Sequence, residues 1–305
     1  MSTRTPDKAI NPEQWVVHKF GGTSVGSASC MRKCIDIIKP VTKKQRVAVV
    51  VSAMGGKPKV TDLLLDMVHA AAAGRNDEIS RNMDFIQTKH RECVTDMLRD
   101  VPSIQQSILS KIESDLKDIS DLLRAVHLMR MAHEQILELV SGYGEIWSAT
   151  IMAEAFQQEG LPFKFLNARD VLFINEDTKV YWSESEAKLS EYIIRAEEEF
   201  SLNDNFSAFK GANPLIKVPH LLITGYVAST LDGVATTLKR DGSDYSASIF
   251  GKMLRSTSIT IWTDVSGVYS ADPRRVPEAQ ILPEVSFTEA IELAYFGAKV
   301  IHPKT

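Results

Sequence analysis

Lys19-Phe20-Gly21-Gly22-Thr23-Ser24-Val25-Gly26 stands between an apolar run, Trp15-Val16-Val17-His18, and a segment of helical spacing, Cys30-Met31-Arg32-Lys33-Cys34-Ile35-Asp36-Ile37-Ile38. The run reads as a first strand and the segment as a helix. A strand, a glycine turn rich in hydroxyls and a helix together form an anion site. Glycine lets backbone N–H groups approach a phosphate, and the helix N-terminus adds positive potential. Lys19 stands at the mouth of the turn with a charge for phosphate oxygens. Taken alone, the stretch also fits a tight strand-to-helix turn with a solvated lysine. It lacks the Gly-Lys-Ser/Thr of a Walker A loop and the third glycine of a dinucleotide fingerprint.

Bulk properties narrow the classes. The 305 residues are 44% hydrophobic and 24% charged, an ordinary globular composition. That length suits one large α/β domain or two small ones. A formal net charge of −4 gives no basic footprint for nucleic acid. No apolar run approaches the ~20 residues of a membrane span. Residues 1–14 carry no apolar leader core and read as a disordered lead-in. Cys30, Cys34 and Cys93 show no metal spacing, which suits reduced thiols in a cytosol-like compartment. The histidines show no H-x-x-x-H or H-E-x-x-H pattern, so no metal site is expected.

Along the chain, residues 46–51 form a β-branched apolar run suited to a strand buried on both faces. A second glycine turn, 52–56, follows, then a helix over 61–68 with Thr61 or a near neighbour as its cap. From 76 to about 140 no strand signal occurs, and Ile79, Met83, Ile86, Leu122, Val126, Met129 and Ile136 fall at helical spacing. This block, broken near Pro102, reads as amphipathic packing over the core. Ser141-Gly142-Tyr143-Gly144-Glu145 interrupts the helices, and 146–158 resumes them. Strands are expected at 163–166, 171–174, 218–226, 234–238 and 259–264, and helices at 184–200, 245–254 and 286–296. Residues 203–213 read as a polar loop. Strands alternating with helices mean a layered α/β fold with a largely parallel sheet, and ligands at the carboxyl ends of its strands.

Four loops leave apolar strands carrying small and charged residues: 19–26, 52–56, 239–244 and 263–274. In the third, Gly242-Ser243-Asp244 opens a helix whose N–H groups and dipole favour an anion. Arg240 just before it offers a fork for a carboxylate. One pocket for phosphates and one for a carboxylate suggest a kinase acting on a small acid.

These motifs resemble the aspartate kinases of the amino-acid kinase superfamily. The resemblance is carried by Lys19-Phe20-Gly21-Gly22-Thr23-Ser24-Val25, by Ser141-Gly142-Tyr143-Gly144-Glu145 and by Thr236-Thr237-Leu238-Lys239-Arg240-Asp241-Gly242-Ser243-Asp244-Tyr245-Ser246-Ala247. It continues through Trp262-Thr263-Asp264-Val265-Ser266-Gly267-Val268-Tyr269-Ser270-Ala271-Asp272-Pro273-Arg274 and Tyr295-Phe296-Gly297-Ala298-Lys299-Val300-Ile301-His302-Pro303. Five motifs in order cover about residues 15–305. The Leu-Lys-Arg-Asp-Gly-Ser-Asp version and the preceding helical block look most like the kinase part of plant-type bifunctional aspartokinase–homoserine dehydrogenases.

The resemblance implies a three-layer α/β/α sandwich that uses MgATP to phosphorylate the β-carboxylate of L-aspartate, the step leading towards lysine, threonine and methionine. Lys19 is expected to bridge the transferring phosphoryl group, with Gly21, Gly22 and Ser24 as the surrounding turn. Arg240 is expected to clamp the α-carboxylate of aspartate, and Glu145 to hold its ammonium. Thr61, Tyr226 and Ser243 are expected to line the amino-acid pocket. Thr263, Asp264, Tyr269 and Arg274 are expected to bind nucleotide, and Lys299 to reach its phosphates. The acceptor carboxylate is already ionised at neutral pH, so Asp244 is assigned to positioning Lys19 and the substrate ammonium rather than to base catalysis. Regulatory and dehydrogenase domains are not expected in these 305 residues, and a homo-oligomer is expected of the full-length protein. The alternatives are another kinase of the superfamily, acting on N-acetylglutamate or uridylate, and an inactive fragment.

Overall fold

The apolar runs become strands because helices cover both of their faces. In this computed structural model the residues described are 14–202, 219–239, 242–263, 265, 267–271 and 275–296. In chain order the first half holds β1 (Trp15–Phe20), α1 (Ala28–Thr42), β2 (Arg46–Val51), α2 (Val60–Ala73), α3 (Asn76–Met97), α4 (Pro102–Met129), α5 (Glu134–Ser141) and α6 (Tyr143–Gln158). The second half holds β3 (Phe163–Leu166), α7 (Trp182–Leu202), β4 (His220–Thr224), β5 (Val227–Ser229), β6 (Ala235–Thr237), α8 (Gly242–Met253), β7 (Ile259–Trp262) and α9 (Phe287–Phe296).

Five strands make one parallel sheet in the order β3-β4-β2-β1-β7, and β5 pairs antiparallel with β6 as a separate ribbon. β2 sits at its centre, with Val47 to Val51 wholly buried. Each such valine stabilises the fold by roughly 1.5–3 kcal/mol. Alternation divides the core. Val16, Phe20, Val47, Val49 and Val51 pack with Met31, Leu64, Trp147 and Phe156 from α1, α2 and α6. Trp15, Val17, Ala48 and Val50 pack with Leu189, Ala247 and Phe250 from α7 and α8. This is the expected α/β/α sandwich, with α3 and α4 stacked outside α2.

Several local expectations change. Residues 171–174 make only isolated bridges, Phe173 with Ser229 and Ile174 with Val180. The Phe173 amide donates to Ser185 Oγ instead of to a strand. Lys59, not Thr61, stands at the N-cap of α2 without a side-chain bond, and Thr61 lies inside the first turn. The strand expected over 218–226 is divided: β4 stops at Thr224, and Tyr226 at φ 68° turns the chain into β5. β7 stops at Trp262. The expected polar loop at 203–213 lies outside the described residues.

Candidate active site

The register sets the strand ends level. Phe20 pairs with Val51, Val51 with Thr224, and Phe20 with Trp262. The loops after β1, β2, β4 and β7 therefore leave from one line, at the carboxyl ends where an open parallel sheet leaves a crevice. Pairing continues briefly past the strands, Ser52 N donating to Phe20 O at 3.2 Å and Gly225 N to Val51 O at 2.8 Å.

The first glycine turn does not open α1 directly. Gly22–Val25 is one turn of 3-10 helix, and α1 begins only after Ser27, whose Oγ accepts from Cys30 N at 3.4 Å. The exposed donors of this turn thus belong to the 3-10 segment, whose first N–H groups have no partner in their own helix. The turn is braced from below by Cys34 Sγ donating to Ser24 O at 3.2 Å. Burial pushes that thiol up to about 12, which keeps it protonated. Beside it runs the second glycine turn, with Gly55 N donating to Gly22 O at 2.8 Å. A Cβ on Gly55 would lie 2.4 Å from Gly22 C, so only glycine permits this backbone approach.

Lys19 is a strand residue, not a turn residue. Its position in β1 shares the face of Trp15 and Val17, which is the face of α8. There its Nζ lies 2.6 Å from Asp244 Oδ1, with the side chains only 9% and 15% exposed. Asp244 Oδ1 has no hydrogen-bond partner among the described residues, so this is a charge contact. Asp244 is in the first turn of α8, as expected. The space above Gly21 belongs to the same amine: a Cβ there would sit 3.4 Å from Lys19 Nζ.

On the other side of this pair lie small hydroxyls and a buried acid. Ser52 Oγ and Ser243 Oγ are 2.7 Å apart, joining the loop after β2 to the start of α8. Ser148 Oγ donates to Ser52 O at 2.6 Å. Three residues earlier on α6 is Glu145, 4% exposed, facing the backbone amide of Ala53 and its own amide. Burial dominates over these donors and the Arg169 charge, and raises its carboxyl to about 8. Its Oε2 has no partner among the described residues. Tyr226 closes this side, its OH 3.3 Å from Ser141 Oγ and its amide donating to Ser246 Oγ at 2.9 Å.

Lys19, Gly21, Gly22, Ser24, Asp244, Ser243, Glu145 and Tyr226 thus lie on linked segments around the strand ends. Thr61 is half-buried in the first turn of α2, which the bond from Val60 N to Met54 O fastens to the second glycine turn. Thr263 directly follows β7. Tyr269 bridges to Ile281 in a separate short ladder, and among the described residues it makes no hydrogen bond to Lys19. A cavity of about 860 Å³ adjoins that ladder, lined by Ser270, Arg275, Val276, Leu282 and Glu289 but by no residue of the Lys19 cluster. Arg240, Asp264, Arg274 and Lys299 lie outside the described residues.

Sequence reasoning named the 52–56 loop without singling out Ser52, and passed over Ser148 and Arg169. The first two follow or face a strand end, where a ligand rule would have found them. Arg169 follows β3 in the same way, within Asn167-Ala168-Arg169-Asp170.

The amino acid kinase family model matches residues 14–305. The chain belongs to the amino acid kinase family. A relative from Arabidopsis thaliana, the chloroplastic bifunctional aspartokinase/homoserine dehydrogenase 2, is 40% identical over 293 residues, covering 96% of this chain and 30% of that protein. The aspartokinase of Schizosaccharomyces pombe is 29% identical over 294 residues, 95% of this chain and 53% of that one. This family member therefore spans about a third to a half of the length of these curated relatives. Among solved structures, Escherichia coli aspartokinase III in complex with aspartate and ADP superposes with a TM-score of 0.77 at 27% identity, over 96% of this chain and 58% of that one.

Proposed function

We propose that residues 15–305 form an aspartate kinase catalytic domain, which transfers the γ-phosphoryl group of MgATP to the β-carboxylate of L-aspartate to give 4-phospho-L-aspartate. One observation carries this reading: Lys19 and Asp244 meet where two interlocked glycine turns adjoin the N-terminus of α8, with the buried Glu145 on the neighbouring side. The names of the relatives and the aspartate and ADP complex of the E. coli enzyme support it.

The residues fit their partners by charge. The 3-10 donors at Gly22 and the Lys19 amine form a cationic cradle for phosphate oxygens. Phosphoryl transfer needs positioning and neutralised charge more than proton transfer, so a lysine and amides suffice. Asp244 holds the Lys19 amine in line. Ser243 and Ser52 offer hydroxyls to the acceptor, Glu145 and Arg240 take its ammonium and α-carboxylate, and Thr61 and Tyr226 wall the pocket. Thr263, Asp264, Tyr269 and Arg274 hold the nucleotide, and Lys299 reaches its phosphates. Magnesium supplies charge neutralisation on the phosphates when bound.

No described helix is long and apolar enough to cross a membrane. We place the protein in a cytosol-like or plastid compartment, supported by its free cysteines and the chloroplastic plant relatives. A homo-oligomer is proposed for the full-length protein. The reading is tested by ADP release with MgATP across aspartate, glutamate, N-acetylglutamate and UMP. Turnover restricted to aspartate is expected, and turnover with another acceptor in its place overturns the reading.

A further inference from the structure

The junction between α5 and α6 is a single residue. Gly142 is both the residue after α5 and the residue before α6, at φ −72° and ψ −12°, and no side chain caps the start of α6. The last carbonyls of α5 have no partner in their own helix. Arg169 supplies one: its Nη2 donates to Glu138 O at 3.3 Å and to Leu139 O at 3.0 Å. A cation suits a helix C-terminus. A Cβ on Gly142 would lie 2.3 Å from the same Nη2 and 2.6 Å from Val227 Cγ1. The turn is therefore shut against the guanidinium.

Arg169 is in turn held from the sheet. Its amide donates to Asn167 Oδ1 at 3.1 Å, and the neighbouring Ala168 amide donates to Thr224 Oγ1 at 2.8 Å. Thr224 is the last residue of β4, and Tyr226, two residues on, meets Ser141 at the end of α5. Glu145 stands in the first turn of α6, with Oε2 sealed and unpartnered among the described residues. A continuous set of contacts thus runs from the end of β4, through Arg169, to the turn that carries Glu145.

We infer that Arg169 is a positioning residue of the acceptor pocket: by clamping the α5–α6 turn to the end of β4, it fixes where Glu145 meets the amino group of the acceptor. This rests on the aspartate kinase reading above. Both bonds leave one nitrogen of a planar guanidinium, and a flexible ammonium lacks that fixed direction, so lysine replaces the clamp only in part.

The test combines steady-state kinetics of Arg169→Met, Arg169→Lys, Glu145→Gln and the Arg169→Met/Glu145→Gln pair with amide hydrogen exchange over 142–146. Arg169→Met is expected to raise the aspartate KM about tenfold, with kcat and the ATP KM changed by less than about twofold. Arg169→Lys recovers part of the loss and carries the comparison if the methionine variant does not fold. On the Glu145→Gln background, Arg169→Met adds little, because the two act as one unit. Equal rises in both KM values, or full additivity with Glu145→Gln, overturn the inference. In substrate-free protein, exchange over 142–146 quickens in the Arg169 variants while β2 stays protected, and unchanged exchange there overturns the clamp. If the wild type does not phosphorylate aspartate, the functional reading fails, and the exchange result still decides the clamp.

Discussion

Lys19 Nζ and Asp244 Oδ1 lie 2.6 Å apart, one on the central parallel sheet and the other in the first turn of a helix that crosses it. On the proposed reading, this fixes the cation between the glycine turns and the acceptor. Lys19→Met removes that charge, and kcat is expected to fall by about 10²–10³ or more in an ADP-release assay. Asp244→Asn keeps the shape but frees the amine, and a loss of about 10–100-fold is expected. Circular dichroism should report a folded protein in both cases. Near-normal turnover of Lys19→Met would remove it from the phosphoryl path.

On the proposed reading, Glu145 makes acceptor binding depend on pH. With its carboxyl raised to about 8 by burial, it is mostly protonated at pH 7 and gains charge as pH rises through 8. The aspartate KM should therefore fall between pH 7 and 9, and Glu145→Gln should raise it and flatten the profile. Stability runs the other way. The folded state keeps a proton that the unfolded state loses above about 4.5, so this group's favourable contribution is lost as pH rises from about 4.5 to 8. Thermal melts at pH 8 should show Glu145→Gln more stable than wild type, while activity assays show it poorer.

Three buried histidines give acid sensitivity. Burial lowers His18 and His90 to about 4 and His220 to about 3, from 6.5. Below 6.5 the unfolded state takes up protons that the folded state refuses, so stability present above 6.5 is lost as pH falls towards 4. His220 Nδ1 accepts from Val47 N at 3.1 Å, inside the sheet, so protonation there also breaks a bond of β2. Melting temperature should drop steeply between pH 6.5 and 5. His220→Asn should flatten the acid limb and lower the neutral melting temperature.

Gly55→Ala tests the interlocked turns. Its Cβ would be driven to 2.4 Å from Gly22 C, and backbone cannot yield as a side-chain tip can. A loss of about 1–3 kcal/mol is expected in denaturant melts, with a raised ATP KM from displacement of the first turn. An ATP KM unchanged within error would show that the turns move independently.

The central strands were legible because β2 has only apolar side chains after Arg46, a run that only burial on both faces explains. The meeting of Asp244 with Lys19 was legible from motifs in order. What escaped is long-range or short. β5 has three residues, too few for a periodic signal, and its neighbour Tyr226 is turned by a positive φ that tyrosine does not announce. Arg169 serves carbonyls 31 and 30 positions away, and Lys239 pairs with Glu134 and Glu138 of α5 from 105 and 101 positions away. Nor does local sequence separate a 3-10 turn at Gly22–Val25 from the first turn of α1.

The contact between Ser52 and Ser243 joins positions 191 residues apart. The site they help to build cannot exist in a partly folded chain, because Ser52 follows β2 and Ser243 lies in the first turn of α8. Parallel pairing over such separations is slow, since loop-closure entropy is lost before the contacts return it. Recovery of phosphoryl transfer during refolding should therefore lag behind helix formation in the 76–141 region, whose contacts are local. Assembly of this site is a late event of the chain's own folding.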